Sequence, residues 1–84
     1  MNIVFKLYAG LGEYLPPGER QGNQVALDVA AQSTIDDLIA QFRLPRKQVH
    51  LVLINGVYVP PPERATRALA EGDVLAIWPP IAGG

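Results

Sequence analysis

One stretch of this 84-residue chain sets apolar residues at sustained helical spacing: Ile35, Leu38, Ile39 and Phe42 stand at i, i+3, i+4 and i+7, a single stripe of an α-helix. Ser33 or Thr34 can cap its start, and Asp36 and Asp37 set negative charge against the positive end of its dipole. Pro45 forces Leu44 out of helical geometry, so the helix stops by Arg43. A helix this short is not stable alone in water and has to lie across a second apolar layer. What the remaining residues can offer as that layer decides the fold.

They offer strands. Residues 2–8 alternate, with Ile3, Phe5 and Leu7 expected to face the core and Val4, Lys6 and Tyr8 the other side. Residues 24–29 repeat the pattern with Val25, Leu27 and Val29, and the two runs are expected to pair as a wide hairpin. Between them Gly10, Gly12, Pro16-Pro17-Gly18 and Gly22 mark a long loop with one short helical turn near residues 11–15. Residues 49–54 form a nearly unbroken apolar run, as in a sheet interior. Asn55-Gly56 is the strongest short hairpin signal, and residues 57–59 return from it.

Pro60-Pro61-Pro62 ends that return strand at an edge. Residues 63–70 read as a loop or short helical turn, with Leu69 as a plug beneath the core, and Gly72-Asp73 turns the chain into Val74–Trp78. There Leu75 and Ile77 are opposite in phase to Val74, Ala76 and Trp78. Strands one and five are both strongly apolar and are expected side by side in the sheet centre. One helix on one face of a mixed five-stranded sheet is an α+β arrangement.

A formal net charge of −1 supplies no electrostatic footprint for nucleic acid. The absence of cysteine excludes disulfides, cysteine-based zinc sites and thiol or persulfide chemistry on this chain. The first residues lack the basic start and long apolar run of a signal peptide, and Leu51–Ile54 is far too short to span a bilayer. A soluble cytoplasmic protein that touches neither membrane nor nucleic acid is expected.

The chain divides into a domain over residues 1–78 and a flexible tail over residues 79–84. Pro79 and Pro80 have no N–H for a sheet ladder and force the chain out of the sheet after Trp78. Six residues from Pro79 onward reach at most about 20 Å, at roughly 3.3 Å per residue. Gly83 and Gly84 have no Cβ, so the tip can enter a slot too narrow for other residues. Glycine at a terminus is ordinarily disorder, but a pair that follows a Pro-Pro brace on an apolar strand suits delivery of a terminal carboxylate to another protein.

Leu51-Val52-Leu53-Ile54-Asn55-Gly56, Leu69-Ala70-Glu71-Gly72-Asp73-Val74 and Trp78-Pro79-Pro80-Ile81-Ala82-Gly83-Gly84 together resemble the ubiquitin-like β-grasp fold and, within it, the MoaD/ThiS sulfur-carrier family, which includes the small subunit of molybdopterin synthase. The resemblance covers nearly the whole chain. It departs after strand one, where the family often has a clear helix, and at Trp78, where other members often carry phenylalanine.

The resemblance implies a carrier rather than an enzyme. An E1-like adenylyltransferase would use ATP and Mg to adenylate the Gly84 carboxylate, and a persulfide donor would convert it to a thiocarboxylate, with no cofactor bound by this chain itself. The large subunit of molybdopterin synthase, or an equivalent, would take the sulfur. Alternatives are a ubiquitin-like modifier joined through Gly84 to lysines, a carrier for thiamine thiazole or transfer RNA, and a binding module with an inert tail.

Tyr8, Tyr58 and Trp78 are candidates for a partner-docking patch at the foot of the tail, because exposed aromatics favour interfaces; Pro79, Pro80, Ile81 and Ala82 extend it. Ordinary cross-strand packing also accounts for the three aromatics, and by resemblance they match a hydrophobic partner surface. His50 lacks a second imidazole for a metal site, and Arg43, Arg46, Lys47, Arg64 and Arg67 read as solvated charges. Gly10-Leu11-Gly12 lacks the third glycine of a phosphate loop.

Overall fold

The computed structural model describes residues 1–80. Five strands, β1 (Asn2–Leu7), β2 (Gln24–Asp28), β3 (Leu51–Ile54), β4 (Val57–Tyr58) and β5 (Val74–Trp78), form one sheet in the order β2-β1-β5-β3-β4, crossed by one helix, α1 (Ile35–Gln41). β1 and β2 pair antiparallel, and β1 and β5 lie side by side in the centre as a parallel pair. Three 3₁₀ turns, Ala9–Tyr14, Arg46–Gln48 and Pro61–Glu63, fill the connections. The expected helical turn after β1 is therefore longer and earlier; it buries Leu11 in the core, and Leu15, which follows it, is buried there too.

Alternation in the strands sends Ile3, Phe5, Leu7, Val52, Ile54, Leu75 and Ile77 to one face, where α1 covers them with Ile35, Leu38 and Ile39. Phe42 packs against Phe5 with ring centroids 5.2 Å apart, and Leu69 is buried as a plug. Strand boundaries shift slightly. Val49 caps the second 3₁₀ turn instead of opening β3. Val59 follows β4, but its N–H still donates to the Val52 carbonyl at 2.9 Å.

The helix start is a reciprocal cap: the Asp37 N–H donates to Thr34 Oγ1 at 3.2 Å, while the Thr34 N–H donates to Asp37 Oδ2 at 2.9 Å. Thr34, not Ser33, is thus the cap. At the other end the Leu44 N–H returns to the Ile39 carbonyl and the Arg43 N–H to the Ala40 carbonyl. Arg43 sits at φ 56°, so the helix closes in a left-handed C-terminal turn two residues before Pro45. The proline lies beyond a stop already made.

Asn55 (φ 51°) and Gly56 (φ 83°) both take positive φ, as a tight hairpin between paired Ile54 and Val57 requires. The Asn55 side chain also holds the start of β5, donating to Asp73 Oδ1 at 2.9 Å and accepting from the Val74 N–H at 2.8 Å. Asp73 in turn accepts from the Ala70 N–H at 2.9 Å. Two turns distant in sequence are thereby one unit.

Arg64 corrects the expectation of five solvated cations. It is buried to 7% exposure, donating through Nε to the Val59 carbonyl at 3.0 Å and through Nη2 to the His50 carbonyl at 3.3 Å. The segment around it packs beneath the helix start, where the Asp36 N–H donates to the Arg64 carbonyl. Arg43, Arg46, Lys47, Arg67 and His50 are exposed. Among the described residues no helix is long and apolar enough to cross a membrane.

Candidate functional site

β5 carries the chain to the tail, and its last residues are pinned on both sides. The Tyr8 N–H donates to the Ile77 carbonyl at 3.1 Å, and the His50 N–H donates to the Trp78 carbonyl at 3.1 Å. Parallel register pairs Leu7 with Ile77, so the next step along both strands brings Tyr8 level with Trp78. Their rings stack with centroids 4.0 Å apart and planes 7° apart. Beyond Trp78 the half-buried Pro79 and exposed Pro80 lie outside the sheet. The tail therefore leaves from the sheet centre, against an aromatic stack.

Beside this root is a groove of about 230 Å³ that Pro79 shares with Leu11 and Tyr14 from the first 3₁₀ turn and with Pro45 and Gln48 from the α1–β3 connection. The expected tail residues Ile81, Ala82, Gly83 and Gly84 lie outside the described residues.

Register places Tyr58, whose face the short β4 left unassigned in sequence. Leu53 pairs with Tyr58 on one side and with Ala76 on the other, and Ala76 pairs with Lys6. Paired residues share a face, so Tyr58 stands on the same helix-free side as Tyr8 and Trp78. It lies two strands from β5 at the sheet edge, half exposed, while Leu53 and Ala76 fill the space between. The three predicted aromatics share one surface, but only Tyr8 and Trp78 touch ring to ring.

Leu51, Leu53 and Ala76 were missed as members of this surface. For Leu51 and Leu53 the signal was present: in residues 51–54 both phases of the alternation are apolar, although one helix can cover only one face. Leu51 pairs with Trp78 and, like Leu53, is half-buried. Lys6 is the one charge in the middle of the row, flanked by Gln24 and Ala76.

Tyr8, Trp78, Leu51, Leu53 and Tyr58 present contact area rather than acid–base chemistry. Among the described residues no group of three His, Asp or Glu side chains is placed to hold a metal ion. Asp36 and Asp37 are occupied at the helix start, the first with Arg46 at 3.2 Å and the second in the cap.

The ThiS family model matches residues 16–84. A search of curated proteins found no match. Among solved structures the chain is similar to SAMP1 from Haloferax volcanii, at 27% identity and a TM-score of 0.67, with 100% of both chains covered. It is also similar to a chain in the complex of subunits 1 and 2 of the molybdopterin-converting factor from Helicobacter pylori 26695, at 16% identity and a TM-score of 0.62, again with 100% of both covered. At that identity the likeness is one of fold.

Proposed function

The chain belongs to the ThiS family of ubiquitin-like β-grasp sulfur carriers, and from that premise we propose that its working group is the Gly84 carboxylate, carried as a thiocarboxylate in cofactor biosynthesis, with molybdopterin as the leading destination. One observation carries the reading: the family match continues through residue 84, so the Gly-Gly end is part of the likeness rather than an appendage to it.

A carboxylate is a poor electrophile at neutral pH. Attack of a Gly84 oxygen on the α-phosphorus of ATP, held with Mg by an E1-like partner, releases pyrophosphate and leaves an acyl-adenylate with AMP as a good leaving group. A persulfide sulfur then displaces AMP, and a thiol cleaves the resulting acyl disulfide to the thiocarboxylate. This chain supplies the acid, the Pro79-Pro80 brace and a docking face. The partners supply nucleotide, metal and sulfur.

The helix-free row from Tyr58 through Leu53 and Ala76 to the Tyr8–Trp78 stack is the docking face for the activating enzyme and for a large subunit that accepts the sulfur. Large apolar side chains that stay part-exposed on either side of the buried Ala76 mark protein contacts. The pairing of subunits named in the Helicobacter structure is the model for the second contact.

Intact-mass analysis of the chain from its native host tests the reading. Oxygen-to-sulfur exchange at the C-terminus is expected, and a ladder of lysine conjugates with no such exchange would turn the assignment to a protein modifier. Gly83→Val should stop adenylate formation while leaving the thermal unfolding curve unchanged. If deletion of Gly84 leaves cellular function intact, the tail is inert and the face alone does the work.

A further inference from the structure

Arg64 is buried, yet no carboxylate among the described residues pairs with it. An unneutralised guanidinium with most of its side chain withdrawn from water is costly. Of its five N–H donors, two are used on the Val59 and His50 carbonyls. Every buried side-chain nitrogen or oxygen among the described residues has a partner, so Nη1, which bonds none of them, has to reach open space. Arg64 lines a cleft of about 190 Å³ between α1 and the second and third 3₁₀ turns, shared with Asp36, Ile39, Arg46, Val49 and Pro61.

Arg46 enters from the second 3₁₀ turn, with Nη1 donating to Asp36 Oδ1 at 3.2 Å. Two guanidinium groups and one carboxylate leave the cleft with one positive charge in excess. We propose that it is a binding site for a single carboxylate group, held between Arg64 and Arg46. One negative charge completes the balance, and the planar forks of arginine match the two oxygens of a carboxylate. A phosphate dianion would overshoot that balance and meet repulsion from Asp36. Ile39, Val49 and Pro61 offer apolar wall to a short aliphatic stem. The ligand is thus a short-chain carboxylate, free or as the side chain of a glutamate. The inference stands apart from the tail chemistry, because no residue after Pro61 except Arg64 enters it.

The test is a titration of the full chain, labelled with nitrogen-15, following the Arg64 Nε–H resonance with sodium chloride exchanged for sodium propionate at constant ionic strength. A saturating shift in the millimolar range is expected. Arg46→Ala, at an exposed side chain, should weaken it roughly tenfold with the amide spectrum otherwise native. Asp36→Asn, which releases Arg46, should tighten it. A parallel titration with N-acetyl-glutamate methylamide separates the sources: tighter binding than propionate assigns the site to an acidic side chain, weaker binding to a free acid. No saturable shift with either probe, an equal response to inorganic phosphate, or full binding by Arg46→Ala overturns the proposal.

Discussion

The two faces of the sheet are made by alternate residues of the same strands, yet they end in different states. On the covered face Phe5, Leu7, Val52, Leu75 and Ile77 lose all contact with water beneath α1. On the free face Tyr8, Leu51, Leu53 and Trp78 remain half-buried, and Tyr58 is 51% exposed. Apolar character is common to both; a cover is not. Burial under the helix accounts for the first set as stability, at roughly 25 cal/mol per Å² removed from water. The second set has no such account among the described residues, which is why it reads as surface reserved for a partner.

Adjacent residues at the end of β1 give the sharpest way to break that comparison. Leu7→Ala opens a cavity at a fully buried site and is expected to cost about 2–5 kcal/mol, measured by urea denaturation. Tyr8→Ala, one residue on and facing the other way, removes the ring stacked on Trp78 and should cost only about 1 kcal/mol in the same experiment. Equal losses would mean that the free face is structural, and the docking assignment would fall.

The cover itself can be strengthened. Arg43 holds a left-handed conformation at the helix C-terminus, where a side chain costs roughly 1 kcal/mol or more relative to glycine. Arg43→Gly should therefore raise stability by up to about 1 kcal/mol, seen as a higher melting temperature. No gain would show that the Arg43 side chain makes a compensating contact. The smallest stability effect belongs to the outermost member of the free face: Tyr58→Ser is expected to change it by less than about 0.5 kcal/mol. The same substitution should weaken association with the activating enzyme by about tenfold or more. Unchanged association would remove Tyr58 from the docking face.

Much of the fold was legible because its signals are local. Alternation in residues 2–8, the stripe from Ile35 to Phe42, and Asn55-Gly56 each act within a few residues and agree with one another. Thr34 was one of two candidate caps; the reciprocal bonds with Asp37 decide between them. Pro45 predicts that the helix stops by Arg43, as it does, but the left-handed turn at Arg43 makes the stop before the proline is reached, and no composition rule marks an arginine for that conformation. Arginine is usually solvated, so nothing local marks Arg64 for burial. Only the carbonyls of Val59 and His50, brought together from separate segments, make its burial tolerable.

The order of apolar and turn residues by itself determined that a single short helix must roof a mixed sheet and that the chain leaves that sheet after Trp78, because backbone periodicity and the missing N–H of proline are properties of neighbouring residues. Which side Tyr58 occupies, that Leu51 and Leu53 join Tyr8 and Trp78 on one surface, and that Arg64 is drawn under the helix were decided by the tertiary structure alone. Each depends on strand register or on carbonyls far apart in the chain, and such pairings exist only once the sheet has closed.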